Sequence, residues 1–227
     1  MATASKRLTR KDLRQPDWFQ TTSEKALEFY AGNRSAVLIA IAALVVALLA
    51  IGGWQLLKER QDTLAAQEFA RAMALYQSAK YGDAVSAFEK VQAYRWSRYA
   101  ILAHLYQAHS HLGNNDLDRS LTAAQRFVAA SEPGSLYREI GLLTLASIEE
   151  RRNQCKQAIE HYGEAEKISG VLRDRALLGK ARCSEQLGDI KAALTNYKEY
   201  IKNHPGSLVS LQIANLEAKL GGAPGVK

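Results

Sequence analysis

Two hydrophobic rhythms divide the 227 residues. From Ser35 to Leu57 the chain reads SAVLIAIAALVVALLAIGGWQLL, without a charged side chain. Beyond it, apolar positions return every three or four residues between polar ones, the spacing of helices that bury one face. At 1.5 Å per residue the uncharged run predicts a helix of about 35 Å, enough to cross a hydrocarbon core of about 30 Å. The predicted fold is all-α, with a transmembrane helix over 35–57, a helical domain over 58–220 and a disordered tail over 221–227.

The run is too long for the apolar core of a secretory signal, and the segment before it contains acids. An uncleaved anchor is therefore expected. The tail before it carries Lys6, Arg7, Arg10, Lys11, Arg14, Lys25 and Arg34 against Asp12, Asp17, Glu24 and Glu28. Its distal basic cluster favours a cytoplasmic N-terminus, with the helical domain on the far side. Within the tail, Thr21 and Glu24 have capping-box spacing and predict a short amphipathic helix. Trp18, Phe19 and Tyr30 are expected at one membrane interface and Trp54 at the other. Docking of a cytoplasmic partner by the Pro16–Phe19 stretch is the alternative, although interfacial burial explains the aromatics without one.

In the helical domain, small residues recur at Ala84, Ser120, Ala158 and Ala193, followed four positions later by Phe88, Ala124, Tyr162 and Tyr197. A second small series, Ala72, Ala108, Ala146 and Ala181, precedes it. Turn-forming residues separate the two series: Tyr81-Gly82, Gly113-Asn114-Asn115, Arg152-Asn153 and Gly188-Asp189. This is the pattern of helix–turn–helix repeats with a period near 34, in units of about 61–95, 96–132, 135–169 and 171–205, with a cap over 207–220.

These positions resemble the tetratricopeptide repeat family. The fourth unit matches best, through Leu177, Ala181, Leu187-Gly188-Asp189-Ile190, Ala193, Tyr197 and Pro205. The resemblance implies an α-solenoid of about four helical hairpins and a capping helix, working as a protein–protein interaction scaffold. The wider layout of basic tail, single span, four degenerate repeats and cap is similar to the bacterial YfgM-like family. That similarity implies an inner-membrane protein with a periplasmic repeat domain, partnered by the SecYEG translocon or by periplasmic chaperones. The alternative is a non-catalytic accessory subunit of a stable membrane complex.

In such a solenoid the concave face is lined by the first helix of each pair. The register places Phe69, Met73 and Tyr76 there from the first unit, and Leu105, His109 and Leu112 from the second. Leu143, Ser147 and Glu150 follow from the third, and Leu178, Arg182 and Glu185 from the fourth. These side chains lack the Lys and Asn with which family members clamp a peptide carboxylate. The apolar ones among them equally suit packing inside the superhelix. Cys155, at the start of one helix, and Cys183, near the end of the next, should come opposite one another when those helices pack antiparallel. A disulfide and two separate buried thiols both fit that placement.

The sequence contains no Gly-rich phosphate loop, CxxC, HExxH or GxSxG. His104, His109, His111, His161 and His204 lack the spacing of a metal site. A non-catalytic protein without cofactor or small-molecule substrate is expected. The chain carries a net charge of +7, but acids are interspersed with the bases throughout the helical domain. That reads as a solvated surface rather than a nucleic-acid face.

Overall fold

The computed structural model describes residues 18–168 and 170–221, with side chains from residue 22 onward. The basic cluster over 6–14, the start of the Pro16–Phe19 stretch, the side chains of Trp18 and Phe19, and the tail from 222 lie outside the described residues. Among the described residues there are ten helices and no strand. The chain divides into two compact units, 1–57 and 58–227, each taken by itself below.

The first unit holds α1 (Trp18–Gly32) and the beginning of α2 (Arg34–Gln77). Helix α1 starts four residues earlier than the Thr21–Glu24 spacing predicts. Thr21 therefore lies inside the first turn and not at an N-cap, which corrects the capping-box expectation. Asn33 interrupts the two helices, its amide N–H and side-chain Nδ2 both donating to the Phe29 carbonyl at 3.0 and 3.2 Å.

Helix α2 is 44 residues long. It runs without interruption from the uncharged stretch into the first repeat unit. Lys58-Glu59-Arg60-Gln61-Asp62-Thr63 contains neither Gly nor Pro, so nothing in it stops a helix once started. One helix in the described residues is long and apolar enough to cross a membrane, and it is this one. Its large apolar side chains from Leu38 to Leu57, Trp54 among them, are 48% to 70% exposed.

In the second unit the C-terminal part of α2 pairs with α3 (Tyr81–Gln92). Helices α4 (Arg98–Gly113) and α5 (Leu117–Ala130), α6 (Leu136–Arg151) and α7 (Cys155–Glu166), and α8 (Arg173–Gln186) and α9 (Ile190–Asn203) form the next three pairs. Helix α10 (Val209–Gly221) packs on α9. Both small-residue series sit where helices touch. Ala72, Ala108, Ala146 and Ala181 are fully buried, as are Ala84, Ser120, Ala158 and Ala193. At these contacts a larger side chain would hold the backbones apart. Ser120 satisfies its hydroxyl by donating to the Ala108 carbonyl across the helix pair at 2.8 Å.

One turn joins the helices of every pair. It spans 78–80, 114–116, 152–154 and 187–189, and its middle residue is left-handed: Ala79 at φ 56°, Asn115 at 59°, Asn153 at 60° and Gly188 at 77°. The following N–H reaches back five residues: Lys80 to Leu75, Asp116 to His111, Gln154 to Glu149, and Asp189 to Ser184, at 2.8 to 3.0 Å. This closure satisfies carbonyls that the helix end leaves open. Asp116 and Asp189 also cap the next helix, accepting from Arg119 and Ala192 N–H.

Candidate partner-binding groove

The first helices of the second, third and fourth pairs leave a cavity of about 320 Å³ between them. Helix α6 supplies Ile140, Leu143, Thr144 and Ser147, and α8 supplies Arg175, Leu178 and Arg182. Both sets follow the i, i+3, i+4, i+7 spacing of one helix face. His109 of α4 and Tyr162 of α7 complete the lining. The structure thus brings together His109, Leu143, Ser147, Leu178 and Arg182 of the expected concave set. Ile140, Thr144, Tyr162 and Arg175 join them unforeseen.

The other expected residues do not line this cavity. Phe69, Met73 and Tyr76 are half-buried against the core of the first pair. The Phe69 ring lies 5.4 to 5.5 Å from the rings of Phe88, Tyr99 and Tyr106, and Tyr76 meets Tyr81 and Tyr106 at 5.7 and 5.8 Å. Leu105 is buried, and Leu112 packs against the core between α4, α5 and α6. Tyr30 and Trp54 are both exposed, with the Arg34 guanidinium 5.9 Å from the Tyr30 ring centre.

Charge in the groove centres on Glu150. Arg182 grips both of its oxygens, Nε at 2.6 Å and Nη2 at 2.8 Å, in a fork that only a guanidinium offers. The Tyr162 hydroxyl donates to the same carboxylate at 2.9 Å. Burial acts to raise the Glu150 pKa, but the bonds from Arg182 and Tyr162 outweigh it and hold the carboxyl below its usual range. The Tyr162 hydroxyl is pushed up, first by burial and then by Glu150. Glu185 faces the other way, accepting from Tyr197 at 3.3 Å and from Gln212 of the cap at 2.7 and 2.9 Å. Burial and Glu185 push the Tyr197 hydroxyl up to about 12.

His109 and Arg175 form the other pole. Burial, then the Arg175 charge, lowers the His109 pKa, so the imidazole is neutral at pH 7. Among the described residues Arg175 has no carboxylate within 4.0 Å. The groove therefore offers apolar walls from Ile140, Leu143 and Leu178, and a guanidinium whose charge is not cancelled. Among the described residues no group of three or more His, Cys, Asp or Glu is placed to hold a metal ion.

Comparison with known proteins agrees with this architecture. No curated protein sequence matches the chain. Among solved structures, the crystal structure of MamA superposes with a TM-score of 0.58 at 15% identity, over 66% of this chain and 84% of that one. The nearly identical TPR-like repeats of a Podosopora anserina protein assigned as a kinesin light chain superpose with a TM-score of 0.59 at 14% identity, over 72% and 89%. At such identities the likeness is one of fold. Residues 27–217 match the profile of the tetratricopeptide repeat-like domain, and the chain belongs to that family.

Proposed function

We propose that the chain is a membrane-anchored scaffold whose groove between α4, α6 and α8 holds an extended segment of a protein partner. The observation that carries this reading is the uncancelled Arg175 beside neutral His109, set among apolar walls on the first-helix face. An acidic or carboxylate-bearing side chain flanked by apolar ones matches that surface. The chain's layout supports a finer reading of the YfgM-like kind: inner membrane, N-terminus in the cytoplasm, repeats in the periplasm, and a partner in the SecYEG translocon or the periplasmic chaperones. The long uncovered apolar stretch of α2 supports anchoring, because such a surface requires lipid or another membrane helix around it.

A photo-crosslinking residue at Ser147, inside the groove, tests the scaffold reading against one at Glu160, exposed on α7. Translocon or chaperone subunits captured at Ser147, lost with Arg175→Glu and absent from Glu160, support it. Equal capture at both positions refutes groove binding. Protease added to intact spheroplasts should digest the repeat domain, and protection until lysis would reverse the topology. The same uncovered span favours, secondly, a non-catalytic accessory subunit fixed in one membrane complex. Salt-resistant, stoichiometric co-purification distinguishes that case.

A further inference from the structure

We propose that Cys155 and Cys183 form a disulfide between the third and fourth helix pairs, made by thiol–disulfide exchange that begins at Cys155. Cys155 is the first residue of α7 and Cys183 lies near the end of α8. The two sulfurs are 2.6 Å apart, closer than two non-bonded sulfurs can rest. A disulfide needs about 2.05 Å, so the remaining adjustment is about half an ångström of side-chain movement.

The surroundings of the two sulfurs differ, and the difference sets the order of events. Cys155 lies in the wall of a pocket of about 290 Å³ that opens to solvent beside Asn153, Gln157 and Leu187. Both residues are buried, Cys155 at 2% exposure and Cys183 at 0%, but only Cys155 takes part in that wall. Burial also pushes the Cys183 thiol pKa up, which keeps it protonated. Local opening of that wall therefore presents Cys155 to an incoming disulfide before Cys183.

Each step balances. The Cys155 thiolate attacks an organic disulfide, RSSR, giving a Cys155–SR mixed disulfide and releasing RS⁻, which takes up the proton that Cys155 lost. Cys183 then loses its proton to water as its sulfur attacks Cys155 Sγ, and the second RS⁻ leaves and is protonated. Two cysteine thiols are oxidised and one RSSR is reduced to two RSH. Oxidised glutathione, or the active-site disulfide of a dithiol oxidoreductase, is the class of oxidant required. The bond closes a loop of 27 intervening residues and ties α7 to α8 one residue away from Arg182, the guanidinium that grips Glu150.

The full-length chain in detergent, first reduced and then incubated with oxidised glutathione, tests the proposal. After denaturation, no thiol should be alkylated and the intact mass should fall by two hydrogens; dithiothreitol should restore both thiols. Two alkylated thiols after oxidation, or a stable double glutathione adduct, overturns the bond. With Cys183→Ser, a single glutathionyl group should accumulate on Cys155, whereas Cys155→Ser should leave Cys183 unmodified; the reverse pattern overturns the order. Acid quenching of the wild-type reaction followed by peptide mapping gives the same information without a variant, because the transient adduct should lie on Cys155.

Discussion

The ring of Tyr162 on α7 occupies the place where a side chain on Gly179 of α8 would stand. A Cβ built on Gly179 overlaps the ring, and the ring is held there by its hydroxyl bond to Glu150. A Cβ on Gly113 or Gly141 would likewise come within 2.6 Å of the Tyr81 ring or 2.8 Å of the Phe127 ring. Three of the helix contacts are thus an aromatic ring seated on a bare backbone. Gly179→Ala should lower stability by about 1–3 kcal/mol through overpacking, more than the helix propensity gained by adding a methyl. Gly163→Ala, where a Cβ meets nothing within 4 Å, should raise stability by about 0.5–1 kcal/mol. Urea midpoints compare the two, and a rise for Gly179→Ala would refute the contact.

Ala158 and Ala193 are fully buried where the helices of the third and fourth pairs meet. Replacing either by Leu should cost about 1–3 kcal/mol. Midpoints unchanged in both variants would show that these positions do not set the helix spacing.

Among the four left-handed turn residues, Ala79 has the least suitable side chain. At φ 56° its Cβ crowds the backbone, whereas Gly and Asn tolerate that region. Ala79→Gly should stabilise the repeat unit by about 1 kcal/mol. Thermal unfolding of the variant measures this, and a drop in midpoint would contradict it.

His161 gives stability a pH dependence. Its Nδ1 lies 2.7 Å from Glu149 Oε2. That hydrogen bond raises its pKa, burial opposes, and the charges of Glu149, Glu164 and Glu160 add to the rise. A folded-state pKa above the unfolded value means that the pair's contribution is full below about pH 6.5 and is lost as pH rises through the higher folded value. The thermal midpoint should fall over that interval, and His161→Gln should flatten this part of the profile. An unaltered slope in the variant would assign the pH dependence to other groups.

The repeat register was legible because buried small residues obey a strict spacing. Ala84, Ser120, Ala158 and Ala193 stand out in the sequence and are all fully buried in the structure. The groove was legible only in part. A residue that lines a concave face and one that packs beneath it share the same helical period, so the ring contacts of Phe69 and Tyr76 with other helices could not be read from spacing. Tyr162 was invisible for the opposite reason. It reads as a core aromatic of a second helix, yet its hydroxyl reaches the Glu150 carboxylate at the groove. The Arg175, Leu178, Arg182 spacing on α8 was a signal that would have found Arg175. That α2 runs on past Leu57 was not legible, because a change from apolar to charged residues does not by itself end a helix.

The four turns within the pairs have three residues each and one handedness, whereas the connections that follow the pairs, over 93–97, 131–135, 167–172 and 204–208, are five or six residues long and lack that shared left-handed link. An extra residue inside a pair would rotate the second helix out of its seam and leave its left-handed link in the wrong place. The same insertion between pairs only lengthens a surface strap. Growth or shrinkage of this molecule is therefore quantised: chain can be added between pairs residue by residue, but within the stack only by whole hairpins.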